Sequence, residues 1–475
     1  MSHSTSGTLN SPSVTYTRPL LTALAMFSLF LAAMDSTAVG TLLPYIKGQL
    51  HDDALYPWLM SGFILASVLA TPLAGRLSDA IGEKRAMIAA LTLFMAGSLC
   101  IWRAPDMISL VWSRALQGVG AGAITVTTYV IIGRLYSDQE RGKMQGMLSL
   151  VWGLAAIAGP LAGALIHQYA GWRMVFFLNM PLCILIMALI SLMYPAHHPR
   201  AANPSGKLDL LSLISFGGLL AGTLLLIMAP SLQLADASRN GLIGATVICL
   251  GMQIWRIHGD ADRSMLPMPF LCQRRYLAPA LLTLLASTIL YASVTLLPLY
   301  LNGNQQTGSI QGGLLVMAAA LGWVAGSAVC GGMTARRGFR MTGIIGACLL
   351  LGGTVVLNLL PTQVNSWTYA LPQILIGLGI GFAATTTLVL VQGQAPFTRI
   401  GSYTSAVQLC RNIGAALGIN TVAALQIMAC RQLGGTQQPT AWAQSFSHSF
   451  LLLAGLAALA LICTWLMPNR ATRQS

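Results

Sequence analysis

The sequence predicts an all-α integral membrane protein with fourteen transmembrane helices, arranged as two six-helix bundles with a two-helix insert between them. Three observations carry that expectation: a composition suited to lipid, the length of the apolar runs, and an internal repeat. Of the 475 residues, 55% are hydrophobic and 8% charged, with a mean hydropathy of +0.70, which places the chain among membrane proteins before any motif is read. The apolar runs recur at about 18 to 25 residues, long enough for an α-helix to cross a hydrocarbon layer of ~30 Å with its backbone hydrogen bonds made internally. A membrane β-barrel would need short alternating strands, and the sequence does not offer them.

Charge delimits the spans, taken along the chain. The first, 19–41, follows Arg18; the second, 58–76, ends at Arg76; the third, 86–102, lies between Arg85 and Arg103. The fourth, 107–133, runs from Asp106 to Arg134, the fifth, 144–166, follows Lys143, and the sixth, 174–194, follows Arg173. A Pro-rich linker, 195–207, holding His197 and His198, leads to the additional spans 209–229 and 240–257, which ends after Arg256. The second set begins at 277–300 after Arg275 and continues through 311–333, 341–360, 367–391, 402–428 and 447–467. The expected organisation is a cytoplasmic tail 1–18, a bundle 19–194, a linker with two helices 195–275, a bundle 276–467 and a cytoplasmic tail 468–475. Residues 1–18 lack the basic lead and small-residue cleavage site of a removable signal, so the first apolar run is expected to be retained.

Placing the amino terminus inside puts nineteen of the 26 Lys and Arg on the inner loops and five outside, with Arg114 and Arg411 within spans. The positive-inside rule then sets both termini in the cytoplasm. This topology also explains the +14 net charge; the basic residues sit in short interhelical loops and form no separate domain for nucleic acid. The nine cysteines are scattered without a CxxC pair or a His/Cys cluster, so no metal or redox site is expected.

The repeat divides the chain. Gly75, Gly82 and Lys84 recur as Gly331, Gly338 and Arg340, and Thr41 to Pro44 recurs as Thr295 to Pro298. Gly118, Gly120, Gly122, Thr127 and Thr128 recur as Gly377, Gly379, Gly381, Thr386 and Thr387. Near-equal offsets in the same order indicate two homologous halves. Their charges have diverged: Ile289 stands opposite Asp35, Ala335 stands opposite Asp79, and no Asp or Glu follows Asp262. Any carboxylate-based coupling must then reside in the first half.

Asp35 is the one carboxylate of twelve lying well inside an apolar segment, where an ionisable group is costly and by default functional. It lies nine residues before Pro44, and Arg114 lies eight after Asp106, so at ~1.5 Å per residue both fall roughly 12 to 14 Å from the outer helix ends. Sharing a depth, they form either a proton switch, in which burial and the arginine pull the acid in opposite directions, or a permanent ion pair between helices. No histidine competes as a relay, because all seven lie in termini, loops or at span edges.

The loop Gly75-Arg-Leu-Ser-Asp79-Ala-Ile-Gly82-Glu-Lys84-Arg85 resembles the signature between helices 2 and 3 of the major facilitator superfamily. Arg114-Ala-Leu-Gln117-Gly118-Val-Gly120-Ala-Gly122 resembles that family's intramembrane arginine motif, and Gly146, Ala155, Gly159-Pro160 and Gly163-Ala164 have the spacing of its antiporter signature. With Asp35 to Pro44 and Trp172-Arg173 to Asn179-Met-Pro181, the chain is similar to the fourteen-helix drug:proton antiporter subfamily over essentially its whole length. Departures are Gly40 and Leu42, where the family usually has asparagine and alanine, and the acid-poor second half.

That resemblance implies an exporter in a bacterial inner (plasma) membrane, driven by the proton gradient with no cofactor, whose partners are a small-molecule substrate, protons and the lipid bilayer. A monomer suffices for such a scheme. Asp35 and Arg114 would couple the proton. Gly75, Asp79, Gly82, Lys84 and Arg85 would form a gating latch, the Asp79 carboxylate capping a neighbouring helix or pairing with an arginine in one conformation; the alternative is an ordinary positive-inside loop. Gly146, Gly159, Pro160 and Gly163 would bend or seal the fifth helix, or simply pack it closely. Arg411, Asn412 and Gln117 are substrate-contact candidates; Arg411 could instead snorkel or bond carbonyls. Trp58, Tyr129, Trp152, Tyr291 and Trp323 either line an apolar cavity or anchor the interface. Scarce acids favour neutral, singly charged, zwitterionic or anionic amphipathic substrates over multiply cationic ones. The alternatives are a dedicated exporter or facilitator of metabolites or siderophore-like carboxylates, and a non-transporting membrane sensor, for which a signalling domain or long tail would be needed. A membrane enzyme would need a clustered catalytic set that isolated Asp35 does not supply.

Overall fold

The structure, a computed structural model, describes residues 12–50, 55, 58–193, 210–232, 236–259, 267–303, 309–360, 366–432 and 439–469. The linker with His197 and His198, the chain beyond 469 and the first eleven residues lie outside these. Among the described residues every regular element is helical. The first half comprises α1 (Pro12–Leu50), α2 (Trp58–Ile81), α3 (Glu83–Arg103), α4 (Met107–Leu135), α5 (Asp138–Ala170) and α6 (Trp172–Met193). Next come α7 (Leu210–Leu232), α8 (Asp236–Gly259) and the short α9 (Met268–Cys272). The second half comprises α10 (Arg274–Gly303), α11 (Ser309–Arg337), α12 (Phe339–Leu359), α13 (Ala370–Gln394), α14 (Ile400–Gln432) and α15 (Pro439–Trp465).

Each of the fourteen expected segments falls on a helix, and among the described residues eleven helices are long and apolar enough to cross a membrane by length and composition. The other three long helices are α7, α8 and α14. Gln253 of α8 is buried and donates to the Ser212 carbonyl of α7 at 3.0 Å and to Ser215 Oγ at 2.7 Å, which ties these two helices together, and α14 carries buried Thr404, Ser405 and Gln408.

The same packing recurs in each half. In the first, α4 packs on α2 and α3, α1 on α5, and α3 on α6; in the second, α13 packs on α11 and α12, α10 on α14, and α12 on α15. The repeated glycines account for it. A Cβ at Gly118 or Gly122 would lie 2.4 Å from Phe63 O or 2.3 Å from Ser67 O on α2, and one at Gly377 or Gly381 would lie 2.1 Å from Ala319 O or 2.5 Å from Trp323 O on α11. With no hydrophobic drive between helices in lipid, such backbone contact gives van der Waals packing where side chains would hold the helices apart. The intervening Gly120 and Gly379 do the same against α3 and α12. Gly82 and Gly338, at φ +85° and +82°, open α3 and α12 in a conformation that L side chains rarely adopt.

At the start of α4 Asp106 caps the helix, the Ser109 amide donating to its carboxylate at 2.8 Å, and this bond holds the carboxyl below its ordinary value. The cap therefore stabilises above the unfolded-state pKa and is lost as pH falls through the folded one. Between the halves, α2 packs on α14, α5 on α11 and α13, and α4 on α14. A cluster joining Tyr129, Ile132 and Leu148 to Leu388, Val391 and Tyr403 crosses this boundary.

Candidate functional site

Helix α1 carries Asp35 into the interior of the first half, where it is 1% exposed, facing Arg114 of α4, also 1% exposed. Arg114 Nη1 donates to Asp35 Oδ2 at 2.8 Å. Gln117 Nε2, one turn further along α4, donates to Oδ1 at 3.1 Å, and Asn179 Nδ2 from α6 donates to the same oxygen at 2.7 Å. An ionised carboxylate only accepts hydrogen bonds, and this one is met by three donors from two helices. Arg114 also donates to Gln117 Oε1; its guanidinium lies 4.2 Å from the Phe63 ring centroid and 5.9 Å from that of Phe176. Ser98 Oγ on α3 accepts from Gln117 at 2.8 Å. Arg114 Nη2 has no hydrogen-bond partner.

Sequence reasoning placed Asp35 and Arg114 at one depth and the structure joins them. It also places Gln117, expected at the substrate, wholly buried in this cluster. Asn179 and Ser98 were not anticipated as its members. The signal for Asn179 was an amide in the middle of an otherwise apolar helix, a position where an unsatisfied polar group is expensive.

A second cluster lies at the C-terminal end of α2. The Asp79 carboxylate accepts from the backbone amides of Gly401 at 2.8 Å and Ser402 at 2.7 Å, and from Ser402 Oγ at 2.7 Å. It thereby caps α14 of the opposite half, where the helix dipole favours negative charge. Arg134 Nη2 at the end of α4 donates to it at 2.9 Å, while Nη1 binds Glu83. A Cβ on Gly75 would lie 2.4 Å from Ser405 Oγ and 2.5 Å from Gly401 O, so glycine permits α2 and α14 to touch. The remaining loop residues point elsewhere. Lys84 Nζ donates to the Ser191 carbonyl near the end of α6 at 2.8 Å, Arg85 is exposed, and Gly82 makes the turn.

Helix α5 uses its glycines on two partners. In its first half, Gly142, Gly146 and Gly153 meet Gly331, Ala328 and Val324 of α11; further along, Gly159 and Gly163 meet Thr37, Ala38 and Thr41 of α1. Pro160 lies within the later stretch, and Thr37 Oγ1 donates to the Ala155 carbonyl at 2.9 Å. A Cβ on Gly159 would fall 2.0 Å from Thr37 Oγ1 and 2.7 Å from Met34 O. Gly159→Ala is therefore expected to lower stability by about 1–3 kcal/mol through overpacking, whereas Gly40→Ala, with nothing within 4 Å, should be nearly neutral. Thermal unfolding of both variants in detergent checks this, and equal midpoints would contradict the close α1–α5 contact.

Between the halves, the Arg411 guanidinium lies 5.7 Å from the Tyr129 ring centroid and 6.0 Å from that of Trp323. Trp152 packs against the cluster that contains Tyr129, and Tyr291 lies near Arg411 and Tyr129. Tyr129 and Trp323, two of the five aromatics named from sequence, thus face Arg411 with Tyr291 nearby, and Trp58 stays at the start of α2. Asn412 is half-buried. Gln117 belongs to the Asp35 cluster instead. Among the described residues no group of three His, Cys, Asp or Glu could hold a metal ion.

Residues 25–419 match the sequence profile of the Major Facilitator Superfamily. The chain belongs to that superfamily. It is 29% identical over 416 residues to an uncharacterized MFS-type transporter of Mycobacterium tuberculosis, covering 86% of this chain and 59% of that relative's length. It is 25% identical over 413 residues to the multidrug transporter protein MdtP of Bacillus subtilis, covering 86% of this chain and 75% of MdtP. The proton:xylose symporter XylE bound to 6-bromo-6-deoxy-D-glucose shares the fold, with a TM-score of 0.65 at 13% identity and 96% of each chain covered. These are transporters, and the superfamily is one of transport proteins rather than enzymes. The chain is a multi-pass membrane protein of this class.

Proposed function

We propose that this superfamily member is a proton-coupled exporter, an antiporter that moves amphipathic organic compounds out of the cell by alternating access. The observation that carries the reading is the Asp35 cluster: one mid-span carboxylate held by Arg114, Gln117 and Asn179. Protonating Asp35 would cancel the charge that Arg114 compensates and replace an acceptor with a donor. The oxygen that takes the proton would stop accepting from its partner and the ion pair with Arg114 would lose its charge, so the ties of α1 to α4 and α6 would weaken and these helices would be freer to rearrange. The likeness to MdtP, a multidrug transporter, supports efflux, and the motifs support the fourteen-helix drug:proton antiporter subfamily, with α7, α8 and α14 completing the crossings. Both termini would be cytoplasmic, the membrane a bacterial inner (plasma) membrane, and the proton gradient the sole energy source.

In this scheme the contacts of Asp79 with α14 and of α5 with α11 belong to the state closed toward the cytoplasm, and opening inward requires both to part. The test is transport into inverted vesicles or liposomes with an imposed pH gradient, using a lipophilic dye as cargo. Asp35→Asn should abolish gradient-driven accumulation while dye binding is retained. Undiminished accumulation by the variant would end the coupling role of Asp35. A second reading, a dedicated exporter of metabolites or siderophore-like carboxylates, is favoured by the cationic Arg411 between the halves.

A further inference from the structure

We propose that the interface between the halves takes an organic anion combining a carboxylate with a flat apolar ring system, and that Arg411 recognises the charge. This rests on the exporter reading above and names the substrate class for it. Helix α14 begins at Ile400, where Asp79 caps its first amides at the cytoplasmic end. Arg411 is eleven residues further along, roughly 16 Å at 1.5 Å per residue, which is near the middle of a hydrocarbon core of ~30 Å.

A guanidinium at that depth needs a counter-charge. Among the described residues no carboxylate lies within ion-pair distance of it, and its close contacts are the faces of Tyr129 and Trp323. The sequence offers little alternative. No Asp or Glu follows Asp262, and the one mid-span acid of the first half, Asp35, is already held by three donors. Arg411 is half-buried, so its charge is open to a bound solute.

The groups around it carry a second, independent indication. Gln408, one turn before Arg411, is 3% exposed, and its Nε2 has no partner; the indole N–H groups of Trp152 and Trp323 are likewise buried and unpartnered. Their neighbours in sequence bring α5 and α11 close, since a Cβ on Gly153 would lie 2.8 Å from Val324 Cγ2. Three orphan donors and a cation ask for an acceptor with negative charge. The rings of Tyr129 and Trp323, with Tyr291 nearby, ask for a flat apolar body. A cationic solute meets like charge, and a neutral one leaves Arg411 uncompensated.

The test is equilibrium binding to the purified full-length protein in nanodiscs, without a gradient, of three probes of one shape: 1-naphthoate, 1-naphthamide and 1-naphthylmethylammonium. Wild type should bind the anion at least about tenfold more tightly than the amide, the worth of a charge-assisted hydrogen bond, and the cation most weakly. Arg411→Gln should erase the preference between anion and amide, Arg411→Lys should retain part of it, and Trp323→Phe, which keeps a ring but no donor, should weaken the anion by a few-fold. Equal binding of the three probes, absence of binding, or a preference that survives Arg411→Gln would overturn the proposal. Since no proton gradient is involved, these outcomes are separate from loss of coupling in Asp35→Asn.

Discussion

Arg114→Leu is expected to destabilise the folded protein by about 3–5 kcal/mol, the cost of stranding a buried charge when its partner is removed. Asp35 is 1% exposed, and in this variant it would keep only the amides of Gln117 and Asn179. Neither amide carries charge, so the carboxylate must take up a proton or draw water into the bundle. The double variant Asp35→Leu/Arg114→Leu should recover most of the loss, because a well-packed apolar pair can match a buried ion pair. Asn179→Ala should cost about 1–3 kcal/mol, the penalty for one hydrogen bond lost from a buried group. Chemical unfolding in mixed micelles would measure all three. If the double variant were as unstable as Arg114→Leu alone, the deficit would come from the space left beside Phe63 and Phe176 rather than from the charge.

The parts of this site legible in the sequence were those with a rare residue type at a countable depth. Asp35 and Arg114 stand out because ionisable groups are scarce in apolar runs, and distances from Pro44 and Asp106 placed them together. Gln117 could have been assigned to them by the same reasoning, since it is three residues beyond Arg114 and so shares its helix face. Asn179 was harder, because a neutral amide in an apolar helix announces that it needs a partner and not which one. The capping capacity of Asp79 was legible from its chemistry, but its partners Gly401 and Ser402 lie in the opposite half, at a distance in sequence that no local pattern encodes. Lys84 shows the converse error of adjacency. It is five residues from Asp79, yet the turn at Gly82 sends it to the carbonyl of Ser191 on α6.

Gly75→Val is expected to hold the cytoplasmic side open. Its Cβ would lie 2.4 Å from Ser405 Oγ and 2.5 Å from Gly401 O, and although a hydroxyl can rotate away, a backbone carbonyl cannot. Helices α2 and α14 must separate, and the separation draws Asp79 away from the amides of Gly401 and Ser402. Asp79→Ala attacks the same contact without adding bulk. It removes three hydrogen bonds to α14 and leaves Arg134 with Glu83 alone. Charge-assisted bonds contribute about 1.5–3 kcal/mol each and do not simply add. Even the net loss of about 3 kcal/mol moves an equilibrium between closed and open forms by roughly a hundredfold. Spin labels on Arg85→Cys and Arg336→Cys, exposed positions on opposite halves, in a background without native cysteines, would report the distance across the cytoplasmic face. Both substitutions should raise a longer-distance population, Gly75→Val more completely. The order matters, because a clamp held mainly by the carboxylate would open as far in Asp79→Ala as in Gly75→Val, whereas one held by helix contact would stay largely closed without Asp79. An unchanged distance in Gly75→Val would mean that α2 and α14 do not form the barrier on this side, and alternating access would have to depend on α5 and α11 instead.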